Sequence, residues 1–288
     1  MSIRVDNSRI LLTGAGSGIG RSLALQLAKK GAILALVGRN EAKLADLAMN
    51  IRAAGGKAFP LVFDISRSSG QNRLFLDVMQ SLGGLDILIN NAGISGFGEF
   101  SRQRPEEIER LVETNITGPL LLTRAVLPHF IQRGSGTIVN IGSTVGAVGF
   151  GHFSAYSATK FALRGFSEAL RRELDHPGIN VTYVAPRATR TSLNPEAVVQ
   201  LNERMGVAMD EADVVARAIV RAIEQGKRES YIGWPEKLLV KLNGMFPRLV
   251  DAALKKNNQV ARDLASIPAK AWKSGNVRYY ADFLKNAK

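Results

Sequence analysis

The stretch Ile10-Leu11-Leu12-Thr13-Gly14-Ala15-Gly16-Ser17-Gly18-Ile19-Gly20 decides the fold. Three aliphatic residues in a row describe a strand buried on both faces. The glycines that follow describe a tight turn in which the backbone lies close to another group. Behind the turn, Arg21–Lys30 places apolar residues at helical spacing. Strand, glycine turn and helix in this order suit a pyrophosphate, because the N–H groups and positive dipole end of the helix face an anion with no Cβ in the way. The spacing is Gly-x-x-x-Gly-x-Gly over Gly14, Gly18 and Gly20, and Gly14, Ser17, Gly18, Ile19 and Gly20 are the expected cofactor contacts.

Outward from this motif, apolar runs recur at Ile33–Val37, Ala58–Phe63, Ile87–Asn90, Thr137–Ile141, Val181–Val184 and Tyr231–Ile232. Helical stretches such as Glu41–Ala54 lie between them. The alternation predicts a Rossmann-type α/β fold: a doubly wound parallel sheet of about seven strands with helices on both faces. A ligand crevice is then expected at the carboxyl ends of the strands. Beyond Trp234-Pro235 the strands stop. This divides the chain into a dinucleotide-binding catalytic domain, 1–234, and a basic amphipathic C-terminal helical extension, 235–288. Within the extension, Glu236–Leu242 and Arg248–Leu254 read as short helices separated by Asn243-Gly244 and Pro247.

The second strand runs into Val37-Gly38-Arg39-Asn40. An NAD site usually carries an acid here for the adenosine ribose; this chain offers Arg39, whose guanidinium suits a 2′-phosphate. The expected cofactor is therefore NADP(H), the alternative being a solvated arginine that opens the next helix. Asp64 and Ile65, after the third strand, stand where a carboxylate meets the adenine amino group, or where Asp64 caps the following helix.

Composition narrows the chemistry. The 288 residues contain no cysteine, which excludes disulfides, thiolate nucleophiles and thiolate metal sites. His129, His152 and His176 show no metal-ligand spacing, and no metal is expected. No apolar run reaches the length of a secretory signal or a membrane span, so a cytoplasmic protein is expected. The net charge is +13, and 235–288 alone holds eleven lysines and arginines against four acids. No nucleic-acid partner is expected. The extension is read as a cover over the substrate mouth, its apolar stripe either packed on the protein or in peripheral contact with anionic membrane.

Thr13–Gly20, Asn90-Asn91-Ala92-Gly93, Asn115, Ser143 and Tyr156-Ser157-Ala158-Thr159-Lys160 follow one another in the order that resembles the short-chain dehydrogenase/reductase family, from about residue 8 to 234. The resemblance implies that Asn91, Ala92 and Gly93 line the cofactor, that Lys160 binds the nicotinamide ribose, and that Asn115 holds a water in a relay to Lys160. It implies Pro186, Thr189 and Thr191 at the nicotinamide end. It also implies a homo-dimer or tetramer built through Pro105–Arg133 and Ala155–Asp175. Arg187 departs from the pattern, which has glycine there; Arg187 and Arg190 either meet an anionic substrate or point to solvent. His152, in a loop with no partner in sequence, is left off the site.

The residues themselves carry the same chemistry. Tyr156 and Lys160 are four apart on a predicted helix and share a face. A tyrosine with pKa near ~10 is a poor base, and a neighbouring ammonium lowers that value. Tyr156 is then the acid/base, and the reaction interconverts a small-molecule carbonyl and alcohol; the resemblance implies that Ser143 holds the substrate oxygen. Apolar loops, Gly93–Phe97 and Val145–Phe153, point to a ketone or aldehyde of apolar character. The alternatives are an NADP(H)-binding regulatory or scaffold protein without turnover, and a sugar-nucleotide epimerase, which needs more chain between its strands.

Overall fold

The structure, a computed structural model of the chain, describes residues 3–234 and 236–266. Its elements alternate: β1 (Arg9–Thr13), α1 (Gly18–Lys29), β2 (Ile33–Gly38), α2 (Glu41–Ala53), β3 (Lys57–Val62), α3 (Gln71–Leu82), β4 (Ile87–Asn90), α4 (Pro105–Val112), α5 (Gly118–Arg133), β5 (Gly136–Ile141), α6 (Ser154–Leu174), β6 (Ile179–Ala185), β7 (Thr189–Arg190), α7 (Glu196–Arg204), β8 (Asp210–Glu211), α8 (Ala212–Glu224), β9 (Glu229–Tyr231), α9 (Glu236–Met245) and α10 (Pro247–Ser266). Seven strands form one parallel sheet in the order β3-β2-β1-β4-β5-β6-β9. The order reverses between β1 and β4, and there the crevice opens.

The apolar runs work because a strand's side chains alternate between faces. Ile10 and Leu12 of β1 face α1, α2 and α8, whereas Leu11 faces α3, α5 and α6. Pro60, which has no N–H to give, sits in the edge strand β3. The expected strands and helices are present with most ends within three residues of expectation, but the second helix of the extension, expected over Arg248–Leu254, runs on to Ser266 as α10. The largest useful shift is at α1, which begins inside the glycine motif and so brings Gly18–Gly20 into its first turn.

Three features depart from the sequence expectation. The helical region 105–133 is two helices joined by a π-helical turn, Glu113–Thr117, that carries Asn115. A small parallel pair, β7 with β8, braces the segment after β6. Asn243-Gly244 does not interrupt the extension: it lies inside α9, where the Asn243 amide donates to the Ala147 carbonyl at 3.0 Å. The break falls at Phe246-Pro247, with proline at the first position of α10, where its missing N–H is harmless. Residues 267–288 of the expected extension lie outside the described residues. Among the described residues no helix is long and apolar enough to cross a membrane, and no group of His, Asp or Glu is placed to hold a metal.

Candidate active site

The carboxyl ends of β1, β2, β4 and β5 open into one cavity of about 1030 Å³. One end is made of backbone. Gly14 has φ +67, and a Cβ on it would lie 2.8 Å from Ala92 Cα; a Cβ on Gly20 would strike the Gly14 carbonyl oxygen at 2.0 Å. The turn therefore exists only with glycine at these positions. Thr13 locks it to the next strand: its hydroxyl accepts from the Asn91 and Ala92 N–H groups, both at 3.0 Å, and the Asn91 amide donates to the Thr13 and Gly14 carbonyls. Ser17, at the N-terminus of α1, makes no side-chain capping bond. Ile19 lines the same wall, and Thr191 faces Gly18 from across the turn.

Arg39 is exposed at the rim, beside Asn40, whose side chain accepts from Lys43 N–H at the start of α2. Asp64 does not cap α3, which begins only at Gln71 behind Gly70. Its Oδ1 instead takes two bonds from Ser66. Partial burial pushes the Asp64 pKa up, but the Ser66 bonds, with Arg39 and Arg110 nearby, outweigh it and hold the carboxyl below its ordinary value. Ile65 is buried under it.

The other end carries side chains. α6 presents Tyr156 and Lys160 on one face, and both line the cavity. Lys160 is buried, donates to the Ile141 carbonyl at 3.2 Å, and stands 5.8 Å from the Tyr156 ring. Ser143 begins the turn after β5, its hydroxyl accepts from Val145 N–H at 3.3 Å, and it lines the cavity with Tyr156. Burial pushes Tyr156 up to about 12, with the Ser143 bond pulling the other way, and pushes Lys160 down to about 8. The expected lowering of Tyr156 by its lysine is thus not met in the protein alone, because desolvation of the hydroxyl dominates.

Asn115 is buried in the π-turn, and both polar atoms of its side chain are bonded: Oδ1 accepts from Ile94 N–H at 2.8 Å, and Nδ2 donates to the Ile94 carbonyl and to Thr159 Oγ1. Gly93 separates it from the lysine; a Cβ there would sit 3.2 Å from Asn115 Oδ1 and 3.6 Å from Lys160 Nζ. Pro186 accepts from Thr144 N–H, and the Thr189 hydroxyl is turned inward to the Arg187 carbonyl. Arg187 lines the cavity but is paired with Asp210 and Glu236, whereas Arg190 lies at the surface, where it pairs with the exposed Glu211. His152 is absent from the cavity lining.

Sequence reasoning passes over two groups. Tyr183 of β6 is buried; its hydroxyl donates to the Ser143 carbonyl at 3.2 Å and accepts from its N–H at 3.4 Å, which holds the serine turn. An apolar part of the cavity wall comes from Val198, Leu201, Met205, Leu239 and Leu254, on or just after α7, α9 and α10. Their spacing is that of any amphipathic helix and carries no signal of a site.

A glycine cradle at a helix N-terminus, at the reversal point of a parallel sheet, defines a dinucleotide-binding α/β protein. The short chain dehydrogenase family model matches residues 8–202, and the chain belongs to the short-chain dehydrogenase/reductase family. It is an oxidoreductase acting between alcohol and carbonyl groups. The ketoacyl reductase HetN of a Nostoc species is 34% identical over 249 residues, which cover 84% of this chain and 86% of the relative. A short-chain dehydrogenase from Sphingobium yanoikuyae, solved in complex with NADPH, is 33% identical with a TM-score of 0.72, covering 85% of this chain and 95% of that one. A short-chain dehydrogenase/reductase from Burkholderia phymatum, solved in complex with NAD, shares the fold at 22% identity and a TM-score of 0.77, covering 86% of this chain and 96% of that one.

Proposed function

We propose that the chain is an NADP(H)-dependent oxidoreductase that reduces a ketone or aldehyde of apolar character, or oxidises the matching alcohol, with Tyr156 as acid/base. The observation that carries this reading is the convergence of Ser143, Tyr156 and Lys160 on the apolar end of the cavity whose other end is the glycine cradle. The cradle fits a dinucleotide, since the Cβ atoms that would fill it are missing. Gly14, Ser17, Gly18, Ile19 and Gly20 would hold its pyrophosphate. Asp64 and Ile65 would hold its adenine, and Asn91 to Gly93, Pro186, Thr189 and Thr191 its nicotinamide half. Structural relatives bind either NAD or NADPH, so the choice rests on this chain's own Arg39 and the lack of an acid after β2.

NADPH, held by these residues, would supply the hydride for the carbonyl carbon. The chain supplies the proton. Tyr156, kept protonated by burial, donates its hydroxyl proton to the carbonyl oxygen, while Ser143 donates a hydrogen bond to the same oxygen. Lys160 stabilises the resulting phenolate and passes a proton back to it. With the Asn115 side chain committed to Ile94 and Thr159, Asn115's part in a relay falls to the main chain of the π-turn, a distortion frequent at functional sites. A screen of NADPH consumption across aldehydes, β-ketoacyl thioesters and steroid ketones tests the reading. Turnover with at least one apolar class is expected; NADPH binding with no turnover on any would favour the regulatory alternative.

Two associations follow as proposals. Exposed Val112 and Ile131 mark α4 and α5, and exposed Phe161 marks α6, as faces for a homo-dimer or tetramer. Light scattering at micromolar concentration should give at least twice the mass of one chain. The outer face of α9 and α10 exposes Leu238, Leu242, Met245, Phe246 and Leu249 among Lys237, Lys241 and Arg248. A second copy would bring like charges together, whereas an anionic bilayer would attract them. Each such cation contributes about 1 kcal/mol near that surface. The full chain should sediment with anionic vesicles and be released by salt; failure to sediment would end the membrane proposal.

A further inference from the structure

Arg187 commits its whole guanidinium to two carboxylates. Nε and Nη2 donate to the two oxygens of Asp210 at 2.9 and 2.7 Å, a two-pronged pair. Nη1 faces both oxygens of Glu236 at 3.4 Å. The three side chains are only 18%, 16% and 19% exposed, more sheltered than ordinary surface pairs. They stand on three separate pieces of the molecule. Arg187 lies on the cavity-lining loop between β6 and β7. Asp210 stands in β8, directly before α8, whose inner face is in the core. Glu236 is the first residue of α9.

The backbone is shaped for this clamp. Gly233, at φ +114, turns the chain from β9 toward α9, and a Cβ on it would lie 2.7 Å from Arg187 Cδ and 2.6 Å from Glu236 Oε2. α9 itself has no buried residue, so apolar burial does not fix where it starts. It is also held by the Asn243 bond to Ala147 and by packing against α10, and Leu239 lines the cavity. α10, behind it, reaches the cavity with Leu254 and packs Val260 and Ala261 on Leu201, Phe97 and Phe153.

We propose that Arg187 is a positioning residue for substrate selection: by joining Asp210 to Glu236 it pins the start of α9 and sets how closely the α9–α10 wall, with Leu239 and Leu254, closes the cavity that Tyr156 also lines. This rests on the reading of the apolar end of the cavity as the substrate chamber. A wall held close rewards every methylene buried against it and so favours long apolar carbonyls over short ones. The clamp also removes the arginine from ligand binding, since two carboxylates surround its one charge, and an anionic substrate finds no cation there.

Two variants of the full chain test the clamp, Glu236→Gln and Arg187→Met. Hydrogen exchange should run about tenfold faster over α9 in both, the loss of one charge-assisted contact, with α8 unchanged in Glu236→Gln, which keeps the Arg187–Asp210 pair. With NADPH, the ratio of kcat/KM for decanal over propanal should fall by about tenfold, through KM. Unchanged exchange over α9 in both variants overturns the clamp. So does faster exchange throughout the chain in Glu236→Gln, which would mark a role in general stability. A loosened α9 with an unaltered ratio overturns the role in selection. If the unsubstituted chain reduces neither aldehyde, the chamber reading fails on these probes, while exchange still judges the clamp.

Discussion

The two ends of the cavity are built from different materials. The cofactor end is backbone: glycines without room for a Cβ, N–H groups of α1, and a threonine hydroxyl that ties two central strands together. The proposed substrate end is side chain: leucines, a valine and a methionine carried on or beside α7, α9 and α10, the second of these a helix with no buried residue of its own. A site made of backbone is fixed by the fold and serves any dinucleotide. A site made of side chains on peripheral helices changes with each substitution, and specificity resides there.

The contrast can be broken first at the junction of the two ends. Lys160→Met removes the cation that supports the phenolate and the expected ribose contact. Turnover should fall by about 10²–10⁴-fold, the usual worth of acid–base assistance. A loss of only a few-fold would detach Lys160 from the chemistry. The pH profile probes the same residue. Burial holds Lys160 near about 8 in the protein without cofactor, so its ammonium is present below that value and lost above it. kcat/KM for carbonyl reduction should therefore be level at lower pH and fall as pH rises through about 8. A flat profile through that range would contradict the assignment.

At the cofactor rim, Arg39→Ala should weaken NADPH by about ten- to a hundredfold while sparing NADH, the worth of one charge-assisted bond. An unchanged preference would mean that another group reads the phosphate. The smallest effects compare the two ends directly. Thr13→Val leaves the Asn91 and Ala92 N–H groups without their acceptor and should cost about 1–3 kcal/mol of stability, read in denaturant melts. Leu254→Ala, in the α9–α10 wall, should cost less than about 1 kcal/mol and instead raise KM for the substrate. Equal stability losses would erase the distinction between a fixed end and a tunable one.

The same distinction explains what was legible in the sequence. β1 and its glycine turn were readable because burial on both faces and a missing Cβ leave a local trace. Tyr156 and Lys160 were readable because four residues on a helix suffice to bring them to one face. The place of Arg39 at the cavity rim was readable from its position after β2, while its pairing with a phosphate remains a proposal. By contrast, Tyr183 looks like any apolar strand residue until β6 is set beside β5 and its hydroxyl meets Ser143. Asn115 gave no sign of its π-turn, because the extra residue in the turn is a tertiary compromise. Arg187 announced only that a small residue was absent; its partners lie 23 and 49 positions away and meet it only in the folded chain. The pKa of Tyr156 was misjudged for a similar reason: a sequence gives the neighbouring charge but not the depth of burial.

The central claim, one cavity in which NADPH and an apolar carbonyl meet at Tyr156, is tested most directly by Tyr156→Phe. The substitution removes one hydroxyl and keeps the ring. Fluorescence titration should give an NADPH affinity within about twofold of the unsubstituted chain, while single-turnover oxidation of the bound NADPH by an accepted carbonyl falls by about 10²–10⁴-fold. Hydride transfer within a few-fold of the unsubstituted rate would contradict the account.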